Sequence, residues 1–157
     1  AIVGHASGMG LKESTADGAI RNLVAAYNTF GDHGHFDELM ELFTLDAVME
    51  IGDGKIYEGV DRIRSIFNQA FDSIASQSER PYVHHHTSSL HITMISEDRA
   101  LGRSYFSVLM GHGLDHWGRY EDEYQRVNEI WLFSRRKVST DGTTSGGWAD
   151  RESEARS

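Results

Sequence analysis

The sequence predicts an α+β fold, one curved antiparallel β-sheet with three N-terminal helices packed on its concave face. Three observations carry the prediction. Helical periodicity dominates the first half of the 157-residue chain, a hairpin pattern interrupts it near residues 46–59, and after the only proline, Pro81, four long stretches read as strands. Strands in unbroken succession form an antiparallel meander, and the preceding helices bury their apolar stripes against it. Such a cone leaves a pocket at its open end.

In "STADGAIRNLVAAYNTFGDHG", Ile20, Leu23, Val24, Tyr27 and Gly31 fall on one helical stripe. Ser14 or Thr15 is the expected cap, and Gly31 and Gly34 bracket the end. "FDELMELF" places Phe36, Leu39, Met40 and Phe43 on the face of a second, short helix. "DAVMEI", the turn "GDG" and "KIYEG" read as a hairpin. A third helix in "GVDRIRSIFNQAFDSIA" carries Ile63, Ile66, Phe67, Ala70 and Ile74. The strands are expected at about 82–95, 98–110, 116–128 and 130–138, with "GHGLDH" at 111–116 as a longer connection. The domain therefore spans 14–138, between a flexible segment 1–13 and a tail 139–157 that is loose or docks on a partner subunit.

Composition excludes several classes of function. No apolar run approaches the ~18 residues that span a bilayer, and "AIVGHASGMG" has no basic head or long apolar stretch of a signal peptide, so a soluble, cytoplasmic protein is expected. A formal charge of −9 disfavours nucleic acid, whose phosphates need a basic surface. Without cysteine there is no disulfide, thiolate nucleophile or Cys-based metal site. A small-molecule partner fits this background, and apolar residues on the outward sheet face point to a homo-oligomer, dimer or trimer.

The stretch "PYVHHHTSSLHI", residues 81–92, holds four of the nine histidines. Together with "IRNLVAAYNTFGDHGHFDELMELFTLDAVMEI", "YEGVDRIRSIF" and "GRYEDEYQRVNEIWLFSRRKV", it resembles the SnoaL-like group of the NTF2-like superfamily over about residues 14–138. That group includes scytalone dehydratase and hexachlorocyclohexane dehydrochlorinase. The resemblance implies an NTF2-like cone and, in its lyase members, a catalytic histidine on the first long strand with an aspartate after the first helix. These fall on His85 and Asp32. A neutral imidazole removes a proton near pH 7, and a carboxylate on its other nitrogen holds the tautomer. The dehydrochlorinase arginine that stabilises leaving-group charge matches Arg136. Tyr27, Tyr57, Tyr120 and Asp122 are the expected substrate-binding residues, with an ion pair between Asp122 and Arg126 as the plainer role for that aspartate. Scytalone dehydratase's carbonyl-holding tyrosines and asparagine match Gly31, Ile51 and Tyr120, so scytalone is not the expected substrate.

The implied activity is a cofactor-independent lyase, a His/Asp dyad eliminating water, halide or an aldehyde fragment from a small apolar or aromatic substrate. An isomerase or cyclase using the same dyad is the near alternative. A non-catalytic scaffold, like the small subunits of ring-hydroxylating oxygenases, is the distant one. No metal is expected, although His84 and His86 share a strand face, with His33/His35 and His112/His116 as further candidate ligands. His85 runs out of phase with Leu90, Ile92 and Met94, and a bulge would bring them onto one face.

Overall fold

The structure, a computed structural model, describes residues 10–156 apart from 53, 78 and 80. Most of the expected N-terminal segment lies outside the described residues. Helix α1, Leu11–Asp32, begins a turn before the expected cap: its N-cap is Gly10, whose N–H donates to Glu13 Oε2 at 3.0 Å. Its apolar stripe buries Ala16, Ile20, Leu23, Val24 and Tyr27. Helix α2, Phe36–Met40, follows a tight turn through Gly34, whose φ of 72° suits a residue without Cβ.

Strands β1 (Phe43–Ile51) and β2 (Lys55–Glu58) form the hairpin, and α3 (Val60–Gln77) crosses to the second half. There β3 (Val83–Met94), β4 (Arg99–Met110), β5 (Gly113–Val127) and β6 (Ile130–Thr143) make the expected antiparallel meander. The sheet order is β2-β1-β6-β5-β4-β3. One seam departs from the expectation, because β1 and β6 pair in parallel and the sheet is mixed. The α3 crossover and the intervening meander bring β6 back beside β1 in the same direction.

β5 starts at Gly113, so the segment 111–116 is mostly strand rather than connection. β6 runs on to Thr143, and α4 (Trp148–Glu154) follows, so residues 139–156 are the end of a strand and a docked helix. The core joins α1 and α3 to the concave sheet face through Ile20, Tyr27, Ile63, Met49 and Phe133. No helix among the described residues is long and apolar enough to cross a membrane.

A bulge settles the phase of β3. Its register shifts between Ser88 and His91, with Ser89 at φ 54°. Val83, His85 and Thr87 are therefore half-buried on the side that Leu90, Ile92 and Met94 resume after the bulge, while His84, His86 and His91 are exposed. Trp131 and Phe106 are buried, and Trp117 is 37% exposed on the outer face.

Candidate active site

Asp32 is the last residue of α1, and β3 is an edge strand of the sheet. Alternate backbone N–H groups of an edge strand lack a sheet partner, and Asp32 uses one of them. Its Oδ2 accepts from the His85 backbone N–H at 2.9 Å, and its Oδ1 lies 2.5 Å from His85 Nδ1. Both carboxylate oxygens thus serve one residue. The side chains are 9% and 29% exposed respectively. With Nδ1–H donated to the carboxylate, Nε2 carries the lone pair.

A cavity of ≈ 120 Å³ opens beside this pair, walled by Tyr27, Phe36, Phe67 and Phe71, with Asn28 among its polar residues. A second space of ≈ 220 Å³ adjoins it through Ile74 and Pro81 and is lined by Tyr82, His112, Trp148 and Arg151. α4 closes this outer end: Trp148 Nε1–H donates to Ser73 Oγ at 2.9 Å, and Ser73 donates to Glu152 at 2.6 Å.

Arg136 lines neither cavity. It is fully buried and donates to Asp122 twice, Nε to Oδ1 and Nη2 to Oδ2, each at 2.8 Å. Its guanidinium lies 4.1 Å from the Tyr27 ring centroid and 3.8 Å from that of Tyr120. Burial alone would lower its pKa, but the Asp122 carboxylate overrides burial and raises it. Arg136 therefore touches the cavity only through Tyr27. Asp122 pairs with Arg136 rather than with Arg126, which bonds Asp98 at 3.0 Å, and Asp122 also accepts from the Tyr124 hydroxyl at 2.9 Å.

Burial pushes the phenols of Tyr27 and Tyr120 up, so both stay protonated. Tyr27 lines the inner cavity. Tyr120 stacks on Phe106 with ring centroids 4.6 Å apart, a contact that depends on Gly118, where an added Cβ would meet the Phe106 ring at 2.9 Å. Tyr57 packs against the core from β2, apart from both cavities.

Asn28 and Asp115 escaped sequence reasoning, and His116 entered it only as a candidate metal ligand. Asn28 lies one turn before Asp32, and that i, i+4 spacing was its available signal. Asp115 was hidden by reading its segment as a connection. Asp115 is fully buried and accepts from the backbone N–H of Trp148 at 2.6 Å and of Ala149 at 3.1 Å. His116 Nδ1 lies 2.7 Å from its Oδ2 and His112 Nε2 lies 3.0 Å from its Oδ1. Burial works to raise the Asp115 pKa, but the hydrogen bonds from His116 and α4 outweigh it and hold the carboxyl low. Burial lowers the His116 pKa against the pull of Asp115. The His116 ring stands 6.5 Å from that of His85 and 5.9 Å from that of Trp148. His84 is engaged at 2.8 Å by the Tyr82 hydroxyl on the outer face. Among the described residues no three His, Asp or Glu side chains gather as a metal site.

The family model of the SnoaL-like domain matches residues 12–137. The chain belongs to the SnoaL-like domain family. No curated protein sequence matches this SnoaL-like chain. Among solved structures, a candidate scytalone dehydratase of Novosphingobium aromaticivorans superposes with a TM-score of 0.75 at 23% identity, covering 85% of this chain and 89% of that one. A hexachlorocyclohexane dehydrochlorinase of Novosphingobium barchaimii gives 0.72 at 19%, covering 87% and 94%. The β subunit of a candidate aromatic-ring-hydroxylating dioxygenase from N. aromaticivorans gives 0.67 at 16%, covering 83% and 92%. At these identities the likeness is one of fold, and this SnoaL-like fold hosts both lyase-type enzymes and an oxygenase subunit.

Proposed function

We propose that this SnoaL-like protein is a cofactor-independent lyase that removes a proton from a small, largely apolar ring and expels a group β to that carbon. The observation that carries the reading is the His85–Asp32 pair, with Nδ1 2.5 Å from the carboxylate at the edge of an aromatic-walled cavity. His85 Nε2 takes the proton as the C–H electron pair becomes the new C=C bond and the leaving group departs with its own pair. The imidazolium formed lies against Asp32, whose negative charge stabilises it, and it returns the proton to the leaving group or to solvent. Tyr27, held as a phenol by burial and backed by the Arg136 guanidinium, is the donor nearest the departing group. Arg136 acts through Tyr27, because it is fully buried, lines neither cavity and gives Nε and Nη2 to Asp122. Water and halide are compatible leaving groups for this step; loss of an aldehyde fragment is instead a retro-aldol cleavage, in which His85 takes a hydroxyl proton, the O–H pair becomes the aldehyde C=O and the C–C pair stays on the ring.

The test is a panel of β-hydroxy and β-halo cyclic compounds assayed by mass spectrometry for loss of HX, with His85→Ala alongside. Product formation by the wild type and its loss in His85→Ala supports the lyase. Equal turnover by both proteins sinks the dyad mechanism.

A further inference from the structure

Asn28, a residue of the inner cavity wall, carries a buried polar atom that the mechanism above does not use. Asn28 Nδ2 donates to Thr87 Oγ1 at 2.9 Å, which orients the amide, and its Oδ1 is buried with no hydrogen bond in the protein. Both oxygens of the neighbouring Asp32 go to His85, and the Tyr27 hydroxyl is a donor already used at the leaving group. Asn28 lines the same cavity as His85.

The position follows from helix and strand geometry. Asn28 and Asp32 are four apart on α1, and Thr87 and His85 are two apart on one face of β3. Asn28–Thr87 and Asp32–His85 are thus two rungs between helix and strand, spaced by roughly 6 Å, which is four residues of helix rise or two of strand. A buried amide oxygen left unpaired is costly, and a hydrocarbon or halocarbon ligand has no donor to offer it.

We propose that Asn28 is a specificity-determining residue whose Oδ1 accepts a hydrogen bond from an O–H or N–H group of the substrate, about one six-membered ring away from the C–H that His85 attacks. This rests on the reading of the cavity as the substrate site and narrows its ligand to a ring bearing a donor.

The experiment is a ¹⁹F NMR titration of the full chain with 4-fluorophenol and with 4-fluorotoluene, which match in shape but differ in the donor. The wild type is expected to prefer the phenol by about tenfold, the worth of one hydrogen bond to a buried acceptor. Asn28→Leu should abolish the preference, and His85→Ala should retain it. In isotope-labelled wild type, phenol binding should move the Asn28 side-chain carbonyl resonance and toluene binding should not, a readout independent of how the variant folds. A preference that persists in Asn28→Leu, equal weakening of both probes, a still carbonyl resonance, or no binding of either probe overturns the proposal. A preference lost only in His85→Ala overturns Asn28 and leaves the lyase reading intact. Donor selectivity that depends on Asn28, in a protein whose turnover ignores His85→Ala, overturns the lyase reading alone.

Discussion

Two imidazole–carboxylate pairs stand in this molecule with their rings 6.5 Å apart, His85–Asp32 and His116–Asp115. Their Nδ1 contacts are alike, 2.5 and 2.7 Å, yet the carboxylates are used differently. Asp32 gives both oxygens to one residue, its imidazole and its backbone N–H. Asp115 divides its oxygens among His112, His116 and the first two residues of α4. The first carboxylate holds a ring that lines an aromatic cavity, and the second fastens a helix over the outer end. What each pair does is set by the remaining bonds of its carboxylate, since the local chemistry is the same.

The largest expected effect breaks this contrast at His85. His85→Ala should lower turnover by about 10²–10⁴-fold, the range for a positioned base, with little change in thermal stability. His116→Ala should leave most turnover and cost stability instead. Steady-state kinetics and melting curves on both variants check it, and equal activity losses would show that the pairs share one role.

Asp115→Ala should cost about 2–4 kcal/mol of unfolding free energy, because it strips the α4 N–H groups and His116 of a buried acceptor. Urea denaturation measures the loss, and a red shift of Trp148 emission reports whether α4 has lifted. Asp32→Asn keeps the side-chain shape and removes the charge. It should reduce turnover by about 10–100-fold, the 1.5–3 kcal/mol of a charge-assisted hydrogen bond, with a smaller change in denaturation midpoint than Asp115→Ala.

The smallest effect is a pH dependence. His116 has a lowered pKa in the fold, so the unfolded chain binds its proton first. Stability present above the ordinary histidine pKa of about 6.5 is then lost as pH falls through and below that value. Asp115, also lowered, adds a loss only below about pH 4, near the ordinary aspartate value. The upper step should vanish in His116→Phe and the lower one should shrink, because the largest bond that holds the Asp115 carboxyl low goes with the ring, and melting temperatures between pH 3 and 8 measure both.

Local pattern alone determined much of this protein. The stripe of Ile20, Leu23, Val24 and Tyr27 marks α1 because 3.6-residue periodicity places them on one face, and alternation after Pro81 marks the meander. The same periodicities set Asp32 at the end of the first helix and His85 on the first long strand, the two positions the resemblance singled out. Tertiary structure decided the rest. Whether His85 faces the helices or solvent hung on a single residue of phase, supplied by the bulge at Ser88–His91. Arg136 in "FSRRKV" matched an arginine that acts on a leaving group, and a sequence does not show that Asp122 reaches it from β5. The stretch after residue 138 read as a tail, loose or docked on a partner subunit, because its composition is polar. Its order comes from contacts far along the chain, Asp115 beneath α4 and Ser73 beneath Trp148, and such bonds form only once the sheet has brought their partners together.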